Sequence, residues 1–186
     1  MTTAKVAYPL TTVEVAKMTL FRSVALVGAT VTVGLTAGLF YAYACSVMPG
    51  LGRADDRTFV TAMQRINVAI LNGWFGVCFA GAVPLIALAA VLHLRGDGRP
   101  VFPWIVAAFV LYAVMLGITF AVNVPLNNAL DAAGDPDRVA DLAAVRERFE
   151  GAWVRWNVAR TVACVAAFSC LAWALVLHGR IGSPAG

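Results

Sequence analysis

The stretch WVRWNVARTVAC contains two indoles, an amide and two guanidiniums within 12 residues, and one of the guanidiniums, that of Arg155, lies on another helix face. Its side chains Trp153, Trp156, Asn157, Arg160 and Cys164 are spaced i, i+3, i+4, i+7 and i+11, which places them on one face of a helix. Indoles stack on flat rings, and a guanidinium in a medium of low dielectric attracts an anion strongly. This face could therefore bind a flat ligand and stabilise negative charge that develops on it.

A second stretch, QRINVAILNGWFGVC, carries amides that could donate hydrogen bonds to the same oxyanion. The stretch is predicted to be part of the second membrane helix, and one broad face of it holds Gln64, Asn67, Leu71, Phe75 and Cys78. Asn72 and Trp74 lie at the two edges of that face. We therefore include the amides and aromatics of this stretch among the candidate ligand-contacting residues.

A third stretch, NVPLNNAL, closes an apolar run. Thr119, Asn123 and Asn127 share a helical face at i, i+4 and i+8. Pro125 has no N–H and biases Val124 away from helical angles, so the sequence predicts a helix break here. The asparagines could satisfy backbone carbonyls that the break frees, or they could hold the oxygen of a ligand. Both alternatives require that the segment is buried in protein or lines a cavity.

The helices that must position these residues can be predicted from the hydrophobic content of the chain. The chain has 186 residues and is 61% hydrophobic, and its 13% of charged residues compares with about 25% in soluble domains. The apolar residues form four runs of roughly 20 residues or more, which is the length that spans a bilayer. We predict an all-α, antiparallel up-down bundle of four transmembrane helices in a single domain (1–186), with spans near 23–48, 66–94, 101–124 and 153–178. A helical extension that begins near Asp137 precedes the fourth span.

Four spans place both termini on one side of the membrane. Lys5, Lys17 and Arg22 favour cytoplasmic termini for this multi-pass protein of the cell membrane, although the two sides carry similar numbers of bases. All three polar stretches fall at the other end of the bundle, where FYAYACSVMPGL also brings Tyr41 and Tyr43. The sequence therefore predicts a pocket about one third of the way into the membrane.

A purely structural interpretation of the same residues stays open. Tryptophan and tyrosine form belts at membrane interfaces, and an arginine near a helix end can extend to the headgroups. Asparagines can also join transmembrane helices by hydrogen bonds. Each residue alone fits this interpretation, whereas their concentration at one end of the bundle favours a site.

The sequence predicts neither a metal nor another cofactor. His93 and His178 lie at span ends on the opposite side from the polar stretches, and no carboxylate lies in the apolar core of a span. The four cysteines lie inside spans without a CxxC pair, and no glycine-rich dinucleotide fingerprint follows a strand. The basic flanks of the membrane helices account for the net charge of +4, so no nucleic-acid partner is expected.

Four motifs in order, FYAYACSVMPGL, MQRINVAILNGWF, NVPLNNAL and WVRWNVAR, resemble the anthrone oxygenase-like family of small membrane proteins. The resemblance extends from about residue 34 to residue 160. Fungal members of that family oxidise polyketide anthrones to anthraquinones. The resemblance implies a site formed by Gln64, Asn67, Asn72, Asn123, Pro125, Asn127, Trp153, Trp156, Asn157 and Arg160.

The expected function is therefore oxidation of a flat, lipophilic phenolic or polyketide substrate by dioxygen without a cofactor. Arg160, Asn67, Asn123 and Asn157 are the expected catalytic residues. Substrate contacts are expected from Gln64, Asn72, Trp74, Phe75, Tyr41, Tyr43, Asn127, Trp153 and Trp156. Tyr41, Tyr43 and bound water are alternative proton acceptors.

Two other functions stay open at this stage. One is a binding protein or subunit for a lipid, quinone or pigment, and the other is a small transporter or scaffold. The expected partners are the lipid bilayer and a small lipophilic aromatic ligand, and a homo-oligomer is left open.

Overall fold

A computed structural model describes residues 12–181, and the regular structure in this range is entirely helical. Four helical segments are long and apolar enough to cross a membrane, namely Thr12–Leu51, Gly73–Leu92, Phe102–Ala132 and Leu142–Ile181. The prediction of an all-α, four-span membrane protein is thus confirmed. Lys5 lies outside the described residues, and the orientation in the membrane stays a prediction.

The helices follow one another with few connecting residues. In chain order they are α1 (Thr12–Ala42), a first π turn (Tyr43–Val47), α2 (Met48–Leu51), α3 (Asp56–Ala69), α4 (Gly73–Leu92), a 3-10 turn (Gly96–Gly98), α5 (Phe102–Ile118), a second π turn (Thr119–Asn123), α6 (Val124–Ala132) and α7 (Leu142–Ile181). Of the two adjacent aspartates before α3, Asp55 is the N-cap, because its carboxylate accepts a hydrogen bond from the Thr58 N–H.

Contacts between the spans pair the start of one helix with the end of its neighbour. Arg22, early in α1, donates to the carbonyl of the last residue of α4 (2.7 Å). Asn157, in the first half of α7, donates to the Phe40 carbonyl near the end of α1 (3.2 Å). At the end of the bundle that contains Arg22, Trp104 near the start of α5 packs edge-on against Trp173 near the end of α7. The polar stretches of the sequence therefore meet at one end of the bundle.

The second span is not the unbroken helix predicted over 66–94. The chain leaves helical geometry at residues 71–72, between α3 and α4. Asn72 holds this turn, since its Oδ1 accepts from the Phe75 N–H (3.1 Å) and its Nδ2 donates to the Ala69 carbonyl (2.8 Å). An asparagine that caps a helix competes with helix continuation, which is the physical reason for the break. Asn67 and Phe75 consequently lie on different helices.

The predicted break at Pro125 is also wrong, because the third span continues to Ala132. A proline ring clashes with the carbonyl four residues earlier in an α-helix. The second π turn ends two residues before Pro125, and the Val124 N–H there bonds to the Thr119 carbonyl, five residues back. The first π turn stands in the same relation to Pro49. Each helix thus widens by one residue instead of breaking.

The fourth helix begins at Leu142, five residues later than predicted, after the Asp141 carboxylate accepts from the Ala144 N–H (2.9 Å). On its first two turns Arg146 forms ion pairs with Glu150 (2.6 Å) and Asp56 (3.0 Å). The same guanidinium donates to the carbonyls of Ala54 and Gly52 (both 2.9 Å). Arg146 therefore ties the connection between the first and second spans to α7.

The opposite end of the bundle is closed by a chain of hydrogen bonds between two histidines and a serine. His93 Nδ1 lies 2.7 Å from the Ala89 carbonyl, which only a ring N–H can satisfy. His93 Nε2 must then accept from His178 Nδ1 (3.2 Å), and His178 Nε2 faces the Ser23 hydroxyl (3.0 Å). His93 is thus fully satisfied in the neutral form, and a proton added at its Nε2 would leave that N–H facing the N–H of His178 Nδ1.

Acidification should destabilise this end of the bundle. Burial is the largest influence on His93 and lowers the pKa of its imidazole. A lowered pKa means that the folded state binds fewer protons than the unfolded state, so stability is full above the ordinary pKa of about 6.5 and is lost as the pH falls below it. Arg22 holds the pKa of Asp97 below its usual range, so the stability from that pair is still present at pH 5 and is lost only at more acidic pH. We expect thermal unfolding in detergent to shift to lower temperature between about pH 8 and about pH 5, and the shift should shrink in His93→Asn.

Candidate functional site

A cavity of about 600 Å³ lies where the polar stretches meet. It is bounded by the end of α1, the turn between α3 and α4, the second π turn, α6 and α7. Most of its lining is apolar or aromatic. Its polar lining consists of Tyr43, Asn67, Asn72, Thr119, Asn127, Asn128, Asp131 and Arg160. The volume and the balance of apolar and polar groups are those of a small-molecule site.

Arg160 supplies the positive charge of the cavity. Its side chain is only 7% exposed, and its guanidinium lies 4.1 Å from the Phe40 ring centroid and 5.2 Å from that of Trp153. Among residues 12–181 no carboxylate forms an ion pair with it. A buried cation without a counter-ion is costly, and it creates a strong preference for an anionic group in the adjoining cavity.

Asn157 fixes the direction of that guanidinium. Its Oδ1 accepts from Arg160 Nε (3.1 Å), and its Nδ2 donates to the Phe40 carbonyl, just before the first π turn. Both ends of the amide are therefore used inside the protein, and Asn157 is not part of the cavity lining. The structure places this residue as a support for Arg160 rather than as a contact for a ligand.

Trp153 joins the arginine to the third span. Its indole N–H donates to Asn127 Oδ1 (2.8 Å), and its carbonyl accepts from Asn123 Nδ2 (3.4 Å). The Tyr43 ring lies 5.7 Å from the Trp153 ring, with the two planes tilted by 50°. These contacts hold an aromatic surface beside Arg160, with hydrogen bonds at two points along the edge of the third span.

Two amide groups are buried without a hydrogen-bond partner in the described part of the chain, namely Asn67 Nδ2 and Asn123 Oδ1. Asn67 lines the cavity, and a ligand oxygen that reaches its buried Nδ2 would supply the partner that this amide lacks. Asn123 is completely buried and does not line the cavity. Of the four predicted catalytic residues, the cavity lining therefore contains Arg160 and Asn67.

Several residues predicted to contact a substrate lie elsewhere. Gln64 donates to the carbonyls of Leu130 and Gly134 (both 3.0 Å), and so closes the end of α6. Tyr41, Trp74 and Trp156 are exposed and do not line the cavity. Their exposure leaves them available to the interfacial aromatic belt of the structural interpretation, which stays a prediction. The remaining predicted contacts, Tyr43, Asn72, Phe75, Asn127 and Trp153, all line the cavity.

Sequence reasoning missed two polar lining residues, Asn128 and Asp131, and the aromatic contact of Arg160 with Phe40. Asp131 continues the series of Asn123 and Asn127 by one more helical turn. Treating Pro125 as a break concealed that series. Phe40 gave no comparable signal, because one phenylalanine in an apolar run looks like any other.

The fold and the site together define a class: a four-span membrane protein with an aromatic cavity at one end and an unpaired arginine inside it. The family model described as anthrone oxygenase matches residues 73–170, more than half of the chain. The protein belongs to the anthrone oxygenase family. No curated protein and no solved structure matches the chain. The matched region contains Arg160, Trp153 and Asn127, whereas Phe40, Tyr43 and Asn67 precede it.

Proposed function

We propose that this protein is an oxygenase that converts a flat, lipophilic phenolic substrate of the anthrone type into a quinone, with dioxygen as the oxidant. The observation that carries the proposal is the unpaired Arg160 guanidinium at the cavity, beside the rings of Phe40 and Trp153. An anthrone ionises to an enolate, which is flat, apolar over most of its surface and negatively charged at one oxygen. The cavity offers a complement to each of these properties.

The electron-rich enolate can react with dioxygen directly. The ring CH2 group loses a proton, and its electron pair stays on the substrate as the enolate, whose oxygen pairs with Arg160. Transfer of one electron to dioxygen and recombination with the resulting superoxide give a peroxide anion at that carbon, which takes back the proton to become the hydroperoxide. Loss of water then leaves a carbonyl, so one oxygen atom enters the product and the other departs with both hydrogens. Stabilising the enolate with a fixed cation lowers the energy of the charged state that precedes oxidation.

Asn67 and Tyr43 complete the proposed site. The unpartnered Asn67 amide can donate a second hydrogen bond to the substrate oxygen. Of the two tyrosines considered as proton acceptors, Tyr43 lines the cavity and Tyr41 does not. Tyr43 is therefore the better placed of the two, and it can accept the proton from the ring carbon only as its phenolate; in the neutral form it can donate a hydrogen bond to the substrate oxygen. The lining contains one carboxylate, Asp131, and no histidine or cysteine, so the proposal leaves the redox chemistry to the substrate itself.

A binding protein without turnover would use the same arginine and the same rings, so it is the alternative that experiment must separate. The packing at the centre of the bundle argues against transport. The centre of the bundle between the cavity and the histidine end is filled by residues with no more than 1% exposure, such as Val33, Ile86, Tyr112 and Met115.

The test is oxidation of an anthrone by purified protein in detergent under air, with and without a chelator. We expect quinone absorbance and oxygen consumption to rise in proportion to protein, and both to be absent under nitrogen. A rate equal to that of buffer at every protein concentration would contradict the oxygenase. Saturable binding without product would instead establish the binding protein.

A further inference from the structure

The cavity has an opening, here called the mouth, whose two sides differ in chemistry. On one side Val68, Leu71 and Phe120 line the cavity and are also exposed on the outer surface of the bundle. On the other side, Asn128 and Asp131 of α6 line the cavity and are exposed. The mouth is therefore apolar where it faces the second span and polar where it follows α6.

The length of α4 indicates how deep in the membrane the apolar side of the mouth lies. Its 20 residues cover about 30 Å, which is the hydrocarbon thickness of a bilayer, so Gly73 marks one membrane boundary. The rings of Phe79 and Phe120 are 6.1 Å apart. Phe79 lies six residues beyond Gly73, or about 9 Å along the axis, so Phe120 lies well inside the hydrocarbon. The apolar side of the mouth thus reaches from the membrane surface into the acyl chains.

The helix break is what leaves this opening. Residues 71–72 form a turn rather than helix, and the first turn of α4 continues with Gly73 and Gly76, which have no side chains to cover the gap. Apart from the adjoining residues and the backbone of the same helix, no atom lies within 4 Å of the position that a Cβ would take at either glycine. The α3–α4 turn therefore gives the cavity an edge toward lipid that a continuous helix with larger residues would close.

We propose that ligands enter the cavity sideways from the bilayer, between the α3–α4 turn and Phe120, and that they are membrane-dissolved aromatics with an ionisable oxygen directed toward Arg160. Because the apolar side of the mouth stays open to acyl chains, such a ligand can carry an alkyl substituent that remains in the lipid. Asp131 on the polar side disfavours an anion arriving from water, so the ligand enters neutral and ionises beside Arg160. This inference rests on the proposed site, but it concerns access and ligand class rather than turnover.

A pair of valines with equal exposure provides the test. Val68 and Val77 are both 66% exposed, but only Val68 lines the cavity. The protein would be placed in lipid nanodiscs, and binding of 1-naphthol added in lipid would be followed by quenching of tryptophan fluorescence. We expect Val68→Trp to slow association by about tenfold, equivalent to a barrier higher by about 1.4 kcal/mol, and Val77→Trp to leave it unchanged. Equal rates in the two variants would overturn lateral access.

A second measurement uses the unaltered protein, so a folding defect in a variant cannot obscure the result. Naphthols with alkyl chains of increasing length would be compared at equal mole fraction in the lipid. A mouth open to lipid predicts an affinity that hardly changes with chain length, because the chain stays among acyl chains before and after binding. An affinity that collapses beyond a short chain would show an enclosed cavity and would contradict the proposal. Naphthol binding by a protein that does not oxidise an anthrone would leave lateral access intact while refuting the oxygenase.

Discussion

Replacing Arg160 by methionine is expected to lower anthrone oxidation by about 100-fold or more, which is the usual effect of removing a fixed group that stabilises an oxyanion. Methionine fills a similar space but carries no charge and donates no hydrogen bond. The measurement is the initial rate of quinone formation at saturating substrate, together with ligand affinity. Arg155→Met is the matched control, because Arg155 lies on the same helix but is exposed and outside the cavity lining.

The same substitution should not reduce thermal stability. Arg160 is buried without a carboxylate partner in the described chain, so its removal relieves the cost of an uncompensated charge. The lost contacts with the rings of Phe40 and Trp153, and the hydrogen bond that the buried Asn157 Oδ1 loses, offset that gain. We expect an unfolding temperature equal to that of the unaltered protein or above it. A loss in the free energy of unfolding as large as the loss in transition-state stabilisation would indicate that Arg160 serves mainly to hold the bundle together.

Asn157→Asp keeps the Arg160 side chain but neutralises its positive charge, so it tests whether oxidation needs that charge. The substitution places a carboxylate oxygen where Asn157 Oδ1 now accepts from Arg160 Nε, 3.1 Å away. The new ion pair should neutralise the cavity and lower oxidation nearly as much as Arg160→Met does. The second carboxylate oxygen then faces the Phe40 carbonyl in place of the Asn157 Nδ2 donor, so no gain in unfolding temperature is expected. Unchanged activity in Asn157→Asp would contradict the assignment of Arg160 as the partner of the substrate anion.

Arg146→Ala is expected to lower the free energy of unfolding by about 2–3 kcal/mol, which is more than Arg160→Met or Asn157→Asp should cost. The substitution removes two ion pairs and two hydrogen bonds to backbone carbonyls, and it leaves the partly buried Glu150 without its cation. It also removes a guanidinium 4.6 Å from the Phe59 ring centroid. For a chain of this size the loss corresponds to a fall in unfolding temperature of about 5–10 °C.

Arg148→Ala provides the comparison for that effect. Arg148 lies two residues further along α7, is exposed, and donates to the Ala144 carbonyl within its own helix (3.0 Å). Exposed interactions of this kind contribute little, so its replacement should change the unfolding temperature by no more than about 2 °C. Similar losses in the two variants would mean that the ties from α7 to the connection between the first two spans do not limit stability.

The sequence by itself determined the four spans, the end of the bundle that carries the polar residues, and the contact between Asn157 and Arg160. All three depend on local patterns. The spans follow from the lengths of apolar runs, and residues three apart on a helix are neighbours whatever surrounds them. The Asp55 cap was predictable for the same reason, since it depends on bonds within four residues.

Only the tertiary structure decided which aromatic residues face the cavity and how the chain passes its prolines. Lipid is as apolar as the interior of a membrane protein, so hydropathy cannot show whether Trp74 points outward and Trp153 inward. A proline breaks a helix or widens it according to whether neighbouring helices hold the segment straight, and at Pro125 the packed third span widens. That choice keeps Asn127 and Asp131 on one continuous face, and so it sets the polar side of the cavity.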